Sequence, residues 1–298
     1  MNAVINGSGV CMGRVVVKQY DDSYSDLYDE IISVILDNDD ISDFRDTFRD
    51  DPNNIFIAFI NGFFAGVSWY TKPENGETIV GIWVKNKYRN KGCAKALLNE
   101  IDNALSKLAE SLHFTAIAFS DNGKYTSSLI EDSSFSFSHT YVTMSFDKKT
   151  PKNVEIDSVI INYSDELFEQ MVDLRNNGIK EAESYYGEKG QMLFYKNDQE
   201  YREYMRKVKN NAFAIVNNGV LDGFVMIRGT EIMALNVRDE KRGRHYAEAL
   251  VVKCIQHLRK QFKDVELICV DKNIPAYNLY LKLGFNPVGK ICCYKKVY

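Results

Sequence analysis

The chain has 298 residues, 45% hydrophobic, 26% charged and 12% aromatic. That is the composition of a soluble globular protein long enough for one large domain or two ordinary ones. A formal charge of −4, from 37 basic and 41 acidic residues, argues against a general nucleic-acid binder, and no apolar run approaches the roughly 18 residues that cross a bilayer.

In chain order, RVVVKQY (14–20) reads as a first strand and SDLYDEIISVIL (25–36) as an acid-rich helix. IFIAFINGFFAGVSWY (55–70) reads as a hairpin turning at Asn61-Gly62, followed by the strand TIVGIWV (78–84). Arg89 comes five residues after Val84, and Ala94, Leu97, Leu98 and Ile101 then keep a helical period before the strand FTAIAF (114–119). KKTPKNVEIDS (148–158), with Pro151 and mixed charge, reads as a linker.

The same series then returns. VIINYS and DELFEQMVDLR repeat the opening strand and helix, and FAIVNNGVLDGFVMI (213–227) repeats the hairpin at Asn218-Gly219. A second glycine follows four residues on in both copies, Gly66 and Gly223. EIMALNV (231–237) leads to Arg242, then to the helical Ala247, Leu250, Val251 and Cys254 and the strand VELICV (265–270). We therefore expect an α/β (α+β) protein of two tandem domains of one fold, 1–150 and 151–298. Each is read as strand–helix–helix–strand–strand–strand–helix–strand–helix–strand, with a mixed, largely antiparallel sheet flanked by helices.

The repeat carries chemistry in YRNKGCAKAL (88–97) and KRGRHYAEAL (241–250). A turn feeding a helix N-terminus offers unpaired N–H groups and the positive end of a dipole, and phosphate is the usual occupant. Arg89 and Lys91, or Arg242 and Arg244, add charge for phosphate oxygens. Six scattered cysteines form no CxxC, and four histidines do not cluster with them, so reduced thiols, a cytoplasmic location and no metal are expected. The first residues also lack the charged start and apolar core of a signal peptide.

Both turns resemble the acetyl-CoA pyrophosphate loop of the GNAT superfamily of N-acetyltransferases, [Q/R]-x-x-G-x-[G/A]. Arg89, Asn90, Lys91, Gly92, Cys93 and Ala94 match in full; in Arg242, Gly243, Arg244, His245, Tyr246 and Ala247, His245 stands where the family has glycine. NIPAYNLYLKLGF (273–285) resembles the family's N-x-x-A-x-x-x-Y-x-x-x-GF region. The resemblance covers nearly the whole chain as two copies and implies acyl transfer from acetyl-CoA to a primary amine of a small molecule or peptide. It involves neither nucleic acid nor membrane, and fits a monomer or homodimer.

The family's positions imply roles. Tyr280 occupies the place of the tyrosine acid that serves the leaving thiolate, although a core aromatic on a helix face is the plain reading. Asn273 would meet the CoA arm, cap a helix, or both. The strand positions Leu235 and Val237, and Val84 in the first copy, would face the cofactor, with the valine backbone N–H polarising the thioester carbonyl. Glu231 starts the fourth strand where some members carry a glutamate base, and it shares parity with Met233, Leu235 and Val237 unless a bulge intervenes. A solvated strand end is the equal alternative. A glutamate, with an ordinary pKa of about 4.3, would work on an amine through water.

The first copy holds Ile130 or Leu129 at the tyrosine slot, depending on whether it is counted from Phe135 or Asn122; Tyr125 lies on the wrong turn. Thr78 stands at the place of Glu231. The C-terminal copy is therefore expected to be catalytic and the N-terminal copy degenerate. Catalysis by the N-terminal copy, or CoA binding without turnover, remain the alternatives. Acceptors enter near the first two helices in the family. There Glu181, Glu183, Tyr185, Tyr186 and Glu188 would suit a cationic amine, or form an ordinary solvated surface.

Overall fold

The computed structural model describes residues 14–36, 42–73, 77–108, 114–120, 129–130, 133–187 and 194–297. By contacts the chain divides into two compact units, Met1–Ser138 with Cys292–Tyr298, and His139–Ile291.

In the first unit, β1 (Val15–Gln19) is followed by α1 (Tyr28–Leu36) and α2 (Ser42–Asp50). Then come β2 (Ile55–Ile60), β3 (Phe63–Tyr70), β4 (Glu77–Val84), α3 (Cys93–Ser106) and β5 (Phe114–Ser120), with β6 (Ser136–Phe146) starting at its end. The strands run in the order β1-β2-β3-β4-β5. All neighbours are antiparallel except β4 and β5. Alternation of apolar side chains clothes both faces. Leu97, Leu98, Ile101 and Leu105 of α3 pack with Phe56, Ala58 and Val80 on one side. Ile31, Ile35 and Phe44 from α1 and α2 pack with Ile55, Ile57, Val67 and Trp69 on the other.

The second unit repeats this with β7 (Ile160–Asn162), α4 (Phe168–Ser184), α5 (Gln199–Lys207), β8 (Ala212–Asn217), β9 (Val220–Arg228), β10 (Glu231–Val237), α6 (Tyr246–Leu258), β11 (Val265–Val270), α7 (Ile274–Leu283) and the start of β12 (Asn286–Val297), whose residues from Cys292 on belong to the first unit. Leu250, Val251, Cys254 and Ile255 of α6 are fully buried. Each removes about 1.5–3 kcal/mol worth of apolar surface from water, before entropy is counted. Phe168, Met171 and Val172 of α4 cover the other face.

Residues 141–146 of β6 hydrogen-bond antiparallel to β11, from Tyr141↔Val270 to Phe146↔Val265. The stretch just before the linker thus packs in the second unit, and the contact division falls at Ser138/His139, upstream of residue 150. The helix expected before Phe135 falls mostly outside the described residues; Leu129 and Ile130 are helical and pack against the first core.

The paired glycines have a steric cause. Gly66 lies opposite Val84, and a Cβ there would sit 2.6 Å from the Trp83 carbonyl oxygen. Gly223 lies opposite Val237, where a Cβ would meet the Leu250 side chain at 3.1 Å. At Gly66 the main chain leaves no room for a side chain, and at Gly223 one fits only if Leu250 gives way by a few tenths of an ångström.

Candidate active site

The two turns share one backbone. Arg89 and Arg242 both adopt φ −63° and ψ 154°. Next come two positive-φ positions, Asn90 (+59°) and Gly92 (+82°) in one, Gly243 (+77°) and His245 (+62°) in the other. Gly92 and His245 are the residues that start α3 and α6. The family's glycine answers a left-handed backbone, and histidine and asparagine are among the side chains that tolerate it best. His245 therefore keeps the loop path. The first-turn N–H groups of each helix have no intrahelical partner and face the turn.

The strands feeding the turns differ. β10 shifts register against β9 between Met233 and Asn236, with Ala234 at φ +54°. The Asn236 amide donates to the Ala234 carbonyl at 3.1 Å, bridging the bulge. β10 then pairs with β11 only at Glu231↔Glu266 and Ile232↔Leu267, and β4 with β5 only from Glu77↔Phe114 to Val80↔Ile117, so the last residues of both strands leave their parallel neighbour. β4 runs against β3 from Gly66↔Val84 to Tyr70↔Val80 with no shift. At Gly81, the counterpart of Ala234, a Cβ would fall 2.1 Å from the Trp69 ring, so an indole lies across the strand. The indole N–H groups of Trp69 and Trp83 are buried without a partner among the described residues. Each such group costs about 1–3 kcal/mol.

Two clefts adjoin the end of β10. One of about 220 Å³ is lined by Val237, Gly243, Ala247 and Leu279 among others. One of about 590 Å³ lies between α4 and the strand end, with Asp173, Asn177, Glu181, Asn236 and Glu240 on its walls. Val237 and Arg242 line both.

Charge is arranged differently around the two loops. Arg242 is held by Glu181 through two bonds of 2.9 and 2.5 Å and by Asp239 at 2.8 Å. The guanidinium outweighs burial and draws the Glu181 carboxyl below its ordinary range. Arg244 meets Asp157 at 3.0 Å, Lys241 meets buried Asp222 at 3.1 Å, and His245 meets Glu248 at 3.0 Å. Glu248 also takes Lys282 at 2.9 Å. In the first unit Arg89 donates to the Val84 carbonyl at 3.2 Å, and Lys87 and Lys91 lie 4.9 and 5.5 Å from the Tyr88 ring. Among the described residues none of these three has a carboxylate partner.

The remaining expected residues fall as follows. Tyr280 is only 7% exposed, packed with Phe285 at 6.0 Å in the core, and lines neither cleft. Burial, and to a lesser degree Cys269 and Cys254, push its phenol far above the ordinary value, so it stays protonated and keeps a hydrogen to donate. Asn273 caps α7, accepting from the Ala276 N–H at 3.1 Å. Leu235 packs against the same core. Tyr246 is buried and donates to Asp157 at 2.7 Å, and Cys93 is buried at the start of α3. Glu231 lies at the far end of β10, its carboxylate 3.7 Å from Arg228, and lines neither cleft. The bulge breaks the alternation on which its parity with Leu235 and Val237 depended.

The acceptor candidates are largely engaged. Glu181 is on Arg242, and Tyr185 donates to Glu181 at 3.2 Å. Tyr186 donates to Asp271 and receives the Thr140 N–H at 3.2 Å. Glu183 lies in the last turn of α4. Glu188, Asn122 and Tyr125 lie outside the described residues. Sequence reasoning missed Asp157, Asp222 and the bulge at Ala234. Glu248 was legible as the i+3 partner of His245; a bulge and contacts 87 residues apart leave no local pattern. Among the described residues no group of three His, Cys, Asp or Glu could hold a metal, and no helix is long and apolar enough to cross a membrane.

Comparison with known proteins agrees with this architecture. The profile of the acetyltransferase (GNAT) family matches residues 17–122, and that of FR47-like proteins matches residues 217–293. No curated protein matches the sequence. Among solved structures, a GCN5-related N-acetyltransferase from Sphaerobacter thermophilus aligns at TM-score 0.74 and 14% identity, over 95% of both chains. A tandem GNAT protein from the clavulanic acid biosynthesis pathway aligns at 0.65 and 13%, covering 95% of this chain and 98% of the other. A putative acetyltransferase from Pyrococcus horikoshii aligns at 0.60 and 15%, covering 100% and 92%. At such identity these structures establish the fold.

Proposed function

We propose, from the premise that this chain is a two-domain acyltransferase of the GNAT family, that its C-terminal half, 151–298, transfers the acetyl group of acetyl-CoA to a primary amine of a small molecule or peptide. The N-terminal half, 1–150, is then non-catalytic. The observation that carries this reading is the bulge at Ala234, which turns the end of β10 into two adjoining clefts while β4 runs straight under Trp69.

The second loop fits a CoA pyrophosphate. Its positive-φ turn leaves the N–H groups of 243–247 to converge on an anion, and Val237, Ala247 and Leu279 offer the apolar wall that a pantetheine arm needs. When bound, acetyl-CoA supplies the activated thioester. The main chain at the end of β10 would donate to its carbonyl oxygen. Tyr280, kept protonated by burial, would stabilise the leaving thiolate by hydrogen bonding, with outright proton transfer disfavoured by its raised pKa. Glu231 is our candidate base and, lining neither cleft, would act through water. A cytoplasmic location and a monomeric or homodimeric state belong to the same reading.

A second reading has its own observation. Among the described residues Arg89, Lys87 and Lys91 have no carboxylate partner, so the first loop is the less neutralised anion site there, and CoA held or used at it would fit. One experiment separates the two. Arg242→Glu with Arg244→Glu should abolish thiol release over an amine panel, and Arg89→Glu with Lys91→Glu should leave most of it. The reverse result transfers catalysis to the N-terminal half.

A further inference from the structure

We propose that Glu181 is a latch between the two clefts of the second unit: it occupies Arg242 when CoA is absent, and is released toward the acceptor cleft when the CoA pyrophosphate takes that arginine. This deepens the functional reading above and rests on CoA binding at the second loop.

Glu181 sits in the last turn of α4, and Arg242 opens the pyrophosphate loop 61 residues later. Their contact is the planar, two-bond geometry with which an arginine also takes phosphate, so carboxylate and pyrophosphate compete for one fork. Arg242 lines both clefts, whereas Glu181 lines only the larger one. An anion seated in the smaller cleft would therefore reach Arg242 from a cavity that Glu181 does not line. Once that charge is shared with a dianionic pyrophosphate, the grip on Glu181 weakens. Glu181 then presents an ionised carboxylate to the cavity where the amine would enter, as a partner for an ammonium group.

The surroundings make the exchange local. Tyr185, which donates to Glu181, can follow it. Tyr186 is tied separately to Asp271 and to the Thr140 N–H, so the chain just beyond α4 stays anchored while the Glu181 turn is freed. The other loop cations have their own carboxylates, Asp157, Asp222 and Glu248, none of which lines the larger cleft. Asp239, beside the loop, also holds Arg242 and lines the larger cleft, so Glu181 is singled out as the carboxylate that reaches the loop from α4.

The test uses the full chain carrying Arg89→Glu and Lys91→Glu, so that only the second loop reports. CoA affinity is measured by calorimetry with and without Glu181→Gln, a neutral substitution of the same shape. Removing the competitor should tighten CoA binding roughly two- to five-fold, the scale of one partly exposed ion pair. Saturating CoA should also speed hydrogen exchange at amides 181–184 in the parent. In Glu181→Gln those amides should already exchange fast without it. In turnover the same variant should raise the KM of the amine, so that affinities for the two substrates move in opposite directions. A purely structural contact would weaken both. Unchanged or weaker CoA binding by Glu181→Gln, with exchange unaffected by CoA, overturns the latch alone. No CoA binding by the parent removes the assignment of the second loop, and the latch with it.

Discussion

At the scale of single residues, Tyr280 holds two properties in tension. It occupies the family's acid position, yet its phenol is buried against Phe285 and pushed far above its ordinary pKa. On the proposed reading, a group so placed stays protonated and would contribute by donating a hydrogen bond when negative charge reaches the thiolate. Tyr280→Phe removes that donor and leaves the ring packing intact. Turnover should fall by ~100-fold or more, the lower range for acid–base groups, while CoA affinity measured by calorimetry stays within about threefold. An equal loss in both would make Tyr280 a packing residue. His245 shows the opposite relation between sequence and structure. The pattern marks it as a departure, and the backbone shows it in the same left-handed conformation as Gly92.

At the scale of elements, the hairpin glycines and the α4–α5 contact carry separate predictions. Gly66→Ala would drive a Cβ against a main-chain oxygen at 2.6 Å, which cannot rotate away. Gly223→Ala would meet the end of a leucine side chain at 3.1 Å. The first should cost about 1–3 kcal/mol in urea unfolding and the second less, because a side chain can shift and a sheet cannot. Asp165, just before α4, is gripped by Arg202 at 2.9 Å and Arg206 at 2.8 Å from α5. Hydrogen bonds from Arg206 and then Arg202 hold its carboxyl far below the ordinary range. A depressed carboxylate stabilises the fold above its unfolded pKa, about 3.9, and that contribution is lost as pH falls through the folded value. Asp165→Asn should therefore lower the melting temperature at pH 7. The gap from the parent should stay constant down to about pH 5 and close progressively below pH 4. A gap independent of pH would assign the loss to geometry instead of charge.

At the scale of the whole molecule, the linker and the packing boundary do not coincide. Residues 141–146, upstream of Pro151, pair with β11 of the second unit. A fragment 151–298 would leave one side of β11 unpaired, and an unpaired, apolar strand edge invites aggregation. We expect this fragment to lack a cooperative thermal transition, or to aggregate, where a fragment 139–298 folds. Equal behaviour of the two in circular dichroism would show that β6 is dispensable. Ligand linkage acts at the same scale: CoA at 100 times its Kd should stabilise the unit that binds it by about 2.7 kcal/mol. The transition that moves identifies that unit.

The amino-acid sequence by itself determined the repeat, the hairpins, the two turn–helix junctions and the family, because each is a pattern between residues a few positions apart. Alternation, helical period, Asn-Gly turns and the spacing from Val84 to Arg89 or Val237 to Arg242 all act through local backbone geometry. Only the tertiary structure decided the bulge at Ala234, the indole across Gly81, the pairing of β6 with β11 and the carboxylates around the second loop. These depend on groups brought together from well beyond one turn or hairpin, 61 and 87 positions apart for the carboxylates on Arg242 and Arg244, or on a register shift that either neighbouring sequence could accommodate. The charge state of the loop is the clearest case. Counting Arg242, Arg244 and Lys241 reads it as cationic, and folding gives each of them a carboxylate.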